Sequence, residues 1–195
     1  MAKWVRTNSR ILCGIEEVRT PYVMVRTNIK IRDVKVSDLD FVKKIYSVHW
    51  TNANGNSDLN EVEYALGLVR DSINKTGDSI KFNEHYIVAD IDGEVVGVLG
   101  YKKLFAKFLH FAKTSKPIEL SNLFVAADKI KTGVGRTLVG ELIKRAKDDG
   151  YSELVVRSAN RWKNSWQFYD KLGFERVGML NGQDGQVSQI WSKIL

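Results

Sequence analysis

Residues 123–138 read LFVAADKIKTGVGRTL, and this stretch decides the fold more than any other part of the chain. Its apolar start is typical of a buried strand, a basic loop follows, and a helical pattern begins at Gly133. Gly133 and Gly135 allow the backbone to turn sharply and to approach a ligand closely. The free amides of a first helical turn favour anions, so the stretch predicts a phosphate or pyrophosphate site.

Two common phosphate-binding loops do not match this stretch. A dinucleotide fingerprint needs a third glycine where the chain has Leu138, and no Gly-Lys-Ser/Thr string completes a P-loop. Taken alone, the loop is equally compatible with an ordinary glycine-containing turn between a strand and a helix.

The pattern of elements around this loop is regular from Asn28 onwards. Apolar periodicity and turn signals predict the order β-α-α-β-β-β-α-β-α-β-β, which is a mixed α+β arrangement. We expect one domain over residues 27–195, because no linker divides it. We expect residues 1–26 to be an N-terminal extension, either an extra strand or arm or sequence upstream of a natural start at Met24.

A second motif, WQFYDKLGFERVG, occupies residues 166–178. Together with KTGVGRTL at 131–138 it resembles the GNAT superfamily of acetyl-CoA-dependent N-acetyltransferases, and the predicted order of elements is similar too. The resemblance implies a GNAT-like fold with a mixed, mostly antiparallel central sheet of six to seven strands flanked by helices. It also implies acetyl-CoA as the co-substrate. The three histidines and the single cysteine are far apart in the sequence, so we expect no metal site.

The same resemblance assigns the residues that bind the donor. Backbone groups of Leu123, Phe124 and Val125 would bond the pantetheine arm in the manner of an added strand. The pyrophosphate would be held by the amides of five successive residues, Gly133, Val134, Gly135, Arg136 and Thr137, with Lys131 adding positive charge. The chain departs from the family in having Ile130 and Trp162 where the family often has polar residues. Asn164, beside Trp162, is the expected contact to the pantetheine arm.

Acetyl transfer to an amine requires a base for the amine and an acid for the departing thiolate. Tyr169 is the expected acid, because a phenol has a pKa of about 10 and the family places the matching tyrosine beside the CoA sulfur. Glu119 is the expected base, because a charge on a mostly apolar central strand needs a reason. Ser121 shares the face of Glu119 and could bind a relaying water. The alternative role of Tyr169 is packing in the core or on the surface, and that of Glu119 is an ion pair at a strand end.

Composition excludes several classes of protein. Hydrophobic residues make up 44% of the 195 residues, too many for a disordered chain. The only cysteine, Cys13, rules out an internal disulfide and has no neighbouring acid or histidine to support a ping-pong route. The chain has no apolar run that would span a membrane and no signal peptide, so we expect a cytoplasmic protein.

The formal net charge of +7 leaves other functions open. Residues 102–116 carry five lysines, no acid and three phenylalanines, a pattern that suits a polyanion such as nucleic acid. The favoured interpretation is a hairpin or helical insertion that packs its phenylalanines on the domain or on a second subunit of a homodimer. Another alternative is an inactive acetyl-CoA sensor or interaction module. The sequence does not identify the acceptor beyond a small-molecule or protein amine.

Overall fold

The computed structural model describes residues 3–4, 24–25, 28–51, 55–182 and 185–195 of the chain. Two short strands, β1 (Lys3–Trp4) and β2 (Met24–Val25), pair antiparallel with each other. The rest of the predicted N-terminal extension, residues 1–26, lies outside the described residues.

Seven strands form one sheet between Lys30 and Ile194. In chain order they are β3 (Lys30–Asp33), β4 (His85–Ile91), β5 (Glu94–Lys103), β6 (Pro117–Val125), β7 (Glu153–Ala159), β8 (Glu175–Asn181) and β9 (Val187–Ile194). Their order across the sheet is β3-β4-β5-β6-β7-β9-β8. Strands β6 and β7 are parallel, and the other neighbours are antiparallel. The predicted mixed, mostly antiparallel sheet is confirmed.

Helices cover both faces of the sheet. They are α1 (Leu39–His49), α2 (Leu59–Asn74), α3 (Gly77–Phe82), α4 (Val134–Asp148) and α5 (Trp166–Lys171). The sequence predicted α1, α2, α4 and α5 from their periodicity, whereas α3 has only six residues and too few turns to produce a pattern. Asp58 begins α2 as its N-cap, accepting the amide of Glu61.

Each face of the sheet has its own hydrophobic core. On one face, α4 and α5 pack against the strands through residues that include Leu138, Leu142, Leu154, Val156 and Trp191. On the other face, α1 and α2 pack through residues that include Val42, Tyr46, Val62, Val88 and Val98. Because strand side chains alternate between faces, a polar residue can be assigned to a face from its position in the strand.

Residues 102–116 complete β5, form a 3-10 helix at Ala106–Phe111 and return to β6. Phe108 is buried against Val155 of β7 and Ile190 of β9, with Phe105 and Phe111 partly buried beside it. The phenylalanines therefore pack on the domain, which confirms the favoured interpretation of this segment. One of its lysines, Lys102, is also withdrawn from solvent, with its side chain 13% exposed.

Glu153 fastens this segment to the sheet. Its side chain is fully buried at the start of β7. The carboxylate accepts the backbone amides of Lys113 and Thr114 at 2.8–2.9 Å and the hydroxyl of Ser192. A buried carboxylate is stable here because hydrogen-bond donors surround it.

Two elements differ from their predicted bounds. The apolar pattern predicts a short strand over residues 153–156, but β7 continues to Ala159, because residues 157–159 pair with β9, which follows much later in the chain. The sequence also predicts a short helix over residues 164–171, but the α-helix begins at Trp166, and a 3-10 helix occupies Asn160–Ser165. Within the described ranges, no helix is long and apolar enough to cross a bilayer.

Candidate active site

The sheet divides between β6 and β7. The two strands pair at four positions, from Pro117 opposite Glu153 to Leu120 opposite Val156. Beyond these, residues 121–125 continue alongside β5 and residues 157–159 continue alongside β9. The two strands are therefore unpaired beyond Leu120 and Val156, and we call the stretch between their unpaired ends the opening. Backbone groups that border it have no neighbouring strand to pair with, so they are available to an extended ligand.

Glu119 lies at the closed end of this opening, on the α1/α2 face. It is 6% exposed, and the backbone amide of Phe105 donates to its carboxylate. Its Oε2 atom has no hydrogen-bond partner among the described residues, and neither has the buried Oγ atom of Ser121, two residues along the same face. Two unpartnered polar atoms on one face leave hydrogen-bonding capacity for a bound polar group or water.

Burial raises the pKa of Glu119 above its usual value, because a charged carboxylate is poorly solvated there. The positive charges of Lys102 and Arg157 act in the opposite direction, and the negative charge of Glu84 adds to the effect of burial. A raised pKa makes this carboxylate a stronger base than an exposed glutamate, which is the property that proton transfer near neutral pH requires.

Tyr169 lies on the opposite face. It is 5% exposed in the core beneath α5, with its ring against Phe168, Phe174 and Trp191. Burial raises its pKa well above the usual value for a phenol, so the hydroxyl keeps its proton at neutral pH. Its hydroxyl forms no hydrogen bond with any described residue. The predicted acid and the predicted base thus lie on opposite faces of the sheet.

The glycine loop begins α4 in the predicted way. Gly133 is the N-cap with φ of 101°, a conformation that L side chains rarely adopt. The amide and hydroxyl of Thr137 donate to the Gly133 carbonyl. The amide of Thr137 is therefore used within the helix, whereas those of Val134, Gly135 and Arg136 begin the helix with no intrahelical acceptor. Arg136 and Lys131 are exposed beside them.

Gly135 lies where three elements meet. A Cβ atom at this position would be 3.3 Å from the ring of Phe168 in α5 and 3.7 Å from Val125 Cγ2 at the end of β6. The structure thus brings the loop, the end of β6 and the residue next to Tyr169 together, as a single donor site would require.

The end of β6 also contributes to the other face. Leu123 is partly buried in the α4 core, whereas Phe124 is buried among α1 side chains. The carbonyl of Val125 accepts Nε2–H of His49 at 2.8 Å. Val125 is one of the three residues whose backbone is predicted to bond the pantetheine, and its carbonyl therefore already has a partner. Asn164 is exposed in the 3-10 helix that follows β7.

An aromatic group covers the α1 side of the opening. Trp162 packs edge-on against Trp50 at 5.2 Å and against Phe124 at 5.8 Å between ring centroids. The guanidinium of Arg161 lies over both tryptophans, at 4.2 and 4.9 Å from their centroids. Trp162 therefore packs within an aromatic cluster beside the opening.

Sequence reasoning missed two charged residues near Glu119. Glu84 is 4% exposed just before β4, and Lys102 lies directly opposite Glu119 in β5. A signal was present for Lys102, because it directly follows the apolar strand residues 95–101. Glu84 stands in a polar run before its strand, and nothing local distinguishes it from a solvated residue.

The chain is similar to known proteins in sequence and in fold. A sequence model described as the acetyltransferase (GNAT) family matches residues 43–174, more than half of the chain. Human N-acetyltransferase 8 is 28% identical over 91 residues, a match that covers 47% of this chain and 38% of that protein. The chain therefore matches well under half of that relative's length.

Two solved structures share the fold. A GNAT-family protein from Desulfovibrio desulfuricans superposes with a TM-score of 0.69 at 19% identity, covering 86% of this chain and 99% of that one. The PaiA N-acetyltransferase of Thermoplasma acidophilum, solved in complex with coenzyme A, superposes with a TM-score of 0.62 at 20% identity. That match covers 86% of this chain and 99% of that one.

Proposed function

Because the chain belongs to the acetyltransferase (GNAT) family, we propose that it transfers the acetyl group of acetyl-CoA to a primary amine by direct attack within a ternary complex. The observation that carries the proposal is the opening between β6 and β7, with Glu119 on one face of the sheet and Tyr169 on the other. A thioester in this opening would be reached by an amine from the Glu119 side and by a proton donor from the Tyr169 side.

The donor is held, in this proposal, by the residues of the opening and of the α4 N-terminus. The amides of Gly133, Val134, Gly135 and Arg136 bind the pyrophosphate, assisted by the positive end of the helix dipole and by Lys131. Backbone groups of residues 123–125 bond the pantetheine arm along β6, and Asn164 contacts it from the far side of the opening. The fold supports this assignment because the glycine loop lies directly against the end of β6.

The chemistry follows from the two titratable groups. Glu119 accepts a proton from the acceptor ammonium, directly or through a water on Ser121, so that the neutral amine attacks the thioester carbonyl carbon. A C–N bond forms and the C–S bond breaks. Tyr169 donates its proton to the departing sulfur. The nitrogen loses two protons in becoming an amide. Glu119 takes the first before the attack and releases it to solvent, and the second, lost once the C–N bond has formed, replaces the proton that Tyr169 gave to the sulfur, so the products are the amide, the CoA thiol and one released proton. The expected compartment, the cytoplasm, rests on the sequence alone.

The donor site is tested by replacing Gly135 with valine. The side chain would meet the Phe168 ring and occupy the space beside the helix amides, so we expect the affinity for acetyl-CoA to fall at least about tenfold. Isothermal titration calorimetry with acetyl-CoA and with CoA measures it. Gly140→Val is the matched control, because Gly140 lies in the same helix with no atom near its Cβ position. Equal affinity of Gly135→Val and wild type would exclude this site.

The base is tested by Glu119→Gln together with the pH dependence of the rate. Glu119 must be deprotonated to act, so kcat/KM should fall as the pH drops through its pKa, which lies above the value of an exposed glutamate. We expect Glu119→Gln to lower kcat by about 10²–10³-fold and to abolish this acid limb. Release of free CoA thiol over a panel of amines provides the rates. If kcat/KM of Glu119→Gln still falls at low pH as in wild type, the acid limb arises from another group.

The same panel separates the enzyme from its alternatives. Binding of acetyl-CoA without turnover of any amine would indicate a sensor. Absence of binding to acetyl-CoA and to CoA would overturn the transferase proposal, and polyanion binding by residues 102–116 would then be tested by its salt dependence.

A further inference from the structure

A second buried carboxylate, Glu84, lies near Glu119 and has no part in the mechanism above. It precedes β4 and is 4% exposed. Its Oε1 atom accepts the hydroxyl of Tyr86 at 2.9 Å, and its backbone carbonyl accepts the hydroxyl of Ser72 in α2 at 3.0 Å. Burying a carboxylate is unfavourable unless a charge or a set of donors compensates it, so Glu84 requires an explanation.

Lys102 connects the two carboxylates. In the antiparallel pair β5–β6 it stands directly opposite Glu119, where side chains on one face have Cβ atoms about 4.5–5.5 Å apart. An ion pair between Lys102 and Glu119 is therefore within reach of the side chains. The structure instead directs the ammonium toward Glu84, with 3.8 Å between Lys102 Nζ and Glu84 Oε1, and over the Phe105 ring at 4.8 Å. Within the described part of the chain, Glu119 forms no ion pair, and its Oε2 has no partner.

The charged and polar groups near the two carboxylates come from several elements of the fold. The polar groups near Glu119 are Lys102 in β5, Arg157 in β7, Glu84 before β4 and the Phe105 amide. Those near Glu84 are Lys102, Tyr86 in β4 and Tyr46 in α1. Arg157 lies over the Phe108 ring and is exposed. Of the two basic side chains near Glu119, Lys102 is therefore the one withdrawn from solvent, and it pairs with Glu84.

We propose that Glu84 is a positioning residue for acetyl transfer, which holds the ammonium of Lys102 away from Glu119 and so leaves that carboxylate free to accept the proton of the amine. The inference rests on the proposed function in taking Glu119 as the base. A direct ion pair would occupy the lone pairs of Glu119 and favour its charged form, which makes a carboxylate a weaker base. Glu84 competes for the ammonium and prevents this.

The variant Glu84→Gln tests the inference. Glutamine has nearly the same shape and can still accept the Tyr86 hydroxyl, but it carries no charge to attract Lys102. The ammonium should then pair with Glu119. We expect kcat to fall about tenfold or more and the acid limb of kcat/KM to move to lower pH, because the base has lost proton affinity. The affinity for acetyl-CoA should not change.

A second substitution distinguishes positioning from a merely structural role. In Glu84→Gln/Lys102→Met the competing ammonium is absent. We therefore expect kcat to return to within about threefold of wild type, and the acid limb of kcat/KM to return to the wild-type pH range. Glu63→Gln is the control, since Glu63 is an exposed acid paired with Lys43 on the surface and its loss should change neither quantity. Urea unfolding of each variant confirms that it is folded.

The protonation of Glu119 is also measured without turnover. Carbon-13 NMR of glutamate side chains, with the Glu119 signal identified by its loss in Glu119→Gln, follows its titration in wild type and in Glu84→Gln. A shift of the Glu119 titration to lower pH supports the inference even if no amine is acetylated, in which case only the proposed function fails. An unchanged titration in Glu84→Gln, or a double variant as slow as the single one, would overturn it.

Discussion

Replacing Tyr169 by phenylalanine is expected to lower kcat by about 10²–10⁴-fold while the affinity for acetyl-CoA stays close to that of wild type. The phenol lies in a core of aromatic rings beneath α5, where burial raises its pKa and keeps it protonated. Phenylalanine preserves the ring and its packing, so the variant removes the proton donor and little else. The thiolate would then depart without a proton, which raises the barrier for breaking the C–S bond.

Saturating acetyl-CoA and a thiol-release assay isolate this effect on kcat, and calorimetry gives the affinity. Tyr151→Phe is the control, because Tyr151 is a partly buried tyrosine that packs against the same core and lies outside the site. A Tyr169→Phe enzyme with the wild-type kcat would show that another group, or water, protonates the leaving thiolate.

Glu153→Ala is expected to lower the free energy of unfolding by about 3–5 kcal/mol. The substitution leaves the amides of Lys113 and Thr114 and the hydroxyl of Ser192 without their acceptor, in a fully buried position. Each unsatisfied buried donor costs roughly 1–3 kcal/mol, and the return of the chain from the 3-10 helix to β6 loses its attachment to β7.

The denaturation midpoint in urea measures this loss. Glu175→Gln is the matched control, because Glu175 also pairs with Lys113 but its side chain is 70% exposed, and surface ion pairs contribute about 1 kcal/mol at most. Similar midpoints for Glu153→Ala and wild type would show that the segment is held by its phenylalanines alone.

Local signals predicted the donor side of the site. The two glycines, the apolar strand before them and the helical periodicity after them all lie within one short stretch, and the structure forms a strand, a turn with Gly133 at positive φ and a helix there. Such features depend on neighbours in sequence, so a single chain contains enough information to predict them.

The acceptor side could not be predicted in this way. The partnership of Glu84 with Lys102 depends on the register of β4 against β5, which pairs His85 with Tyr101, and on the packing of α2 over β4. A β-bulge places Asn122 at φ of 46°, and its amide donates to the Tyr86 hydroxyl at 2.8 Å. Each of these contacts joins residues distant in sequence, and a one-residue change of register would move every side chain of a strand to the other face.

The short pairing between β6 and β7 also bears on how the molecule folds. On one side of the four-residue seam, the antiparallel strands β3 to β6 follow one another in the chain, and on the other side β7, β8 and β9 do so as well. Each half can therefore form its ladder by closing loops within its own stretch of sequence. The parallel seam is different, because its two strands are brought together only when the crossover through α4 is in place. Loop closure across that crossover costs entropy, and the seam offers only a few backbone hydrogen bonds in return. We therefore expect docking of the two halves to be the slow, late step of folding.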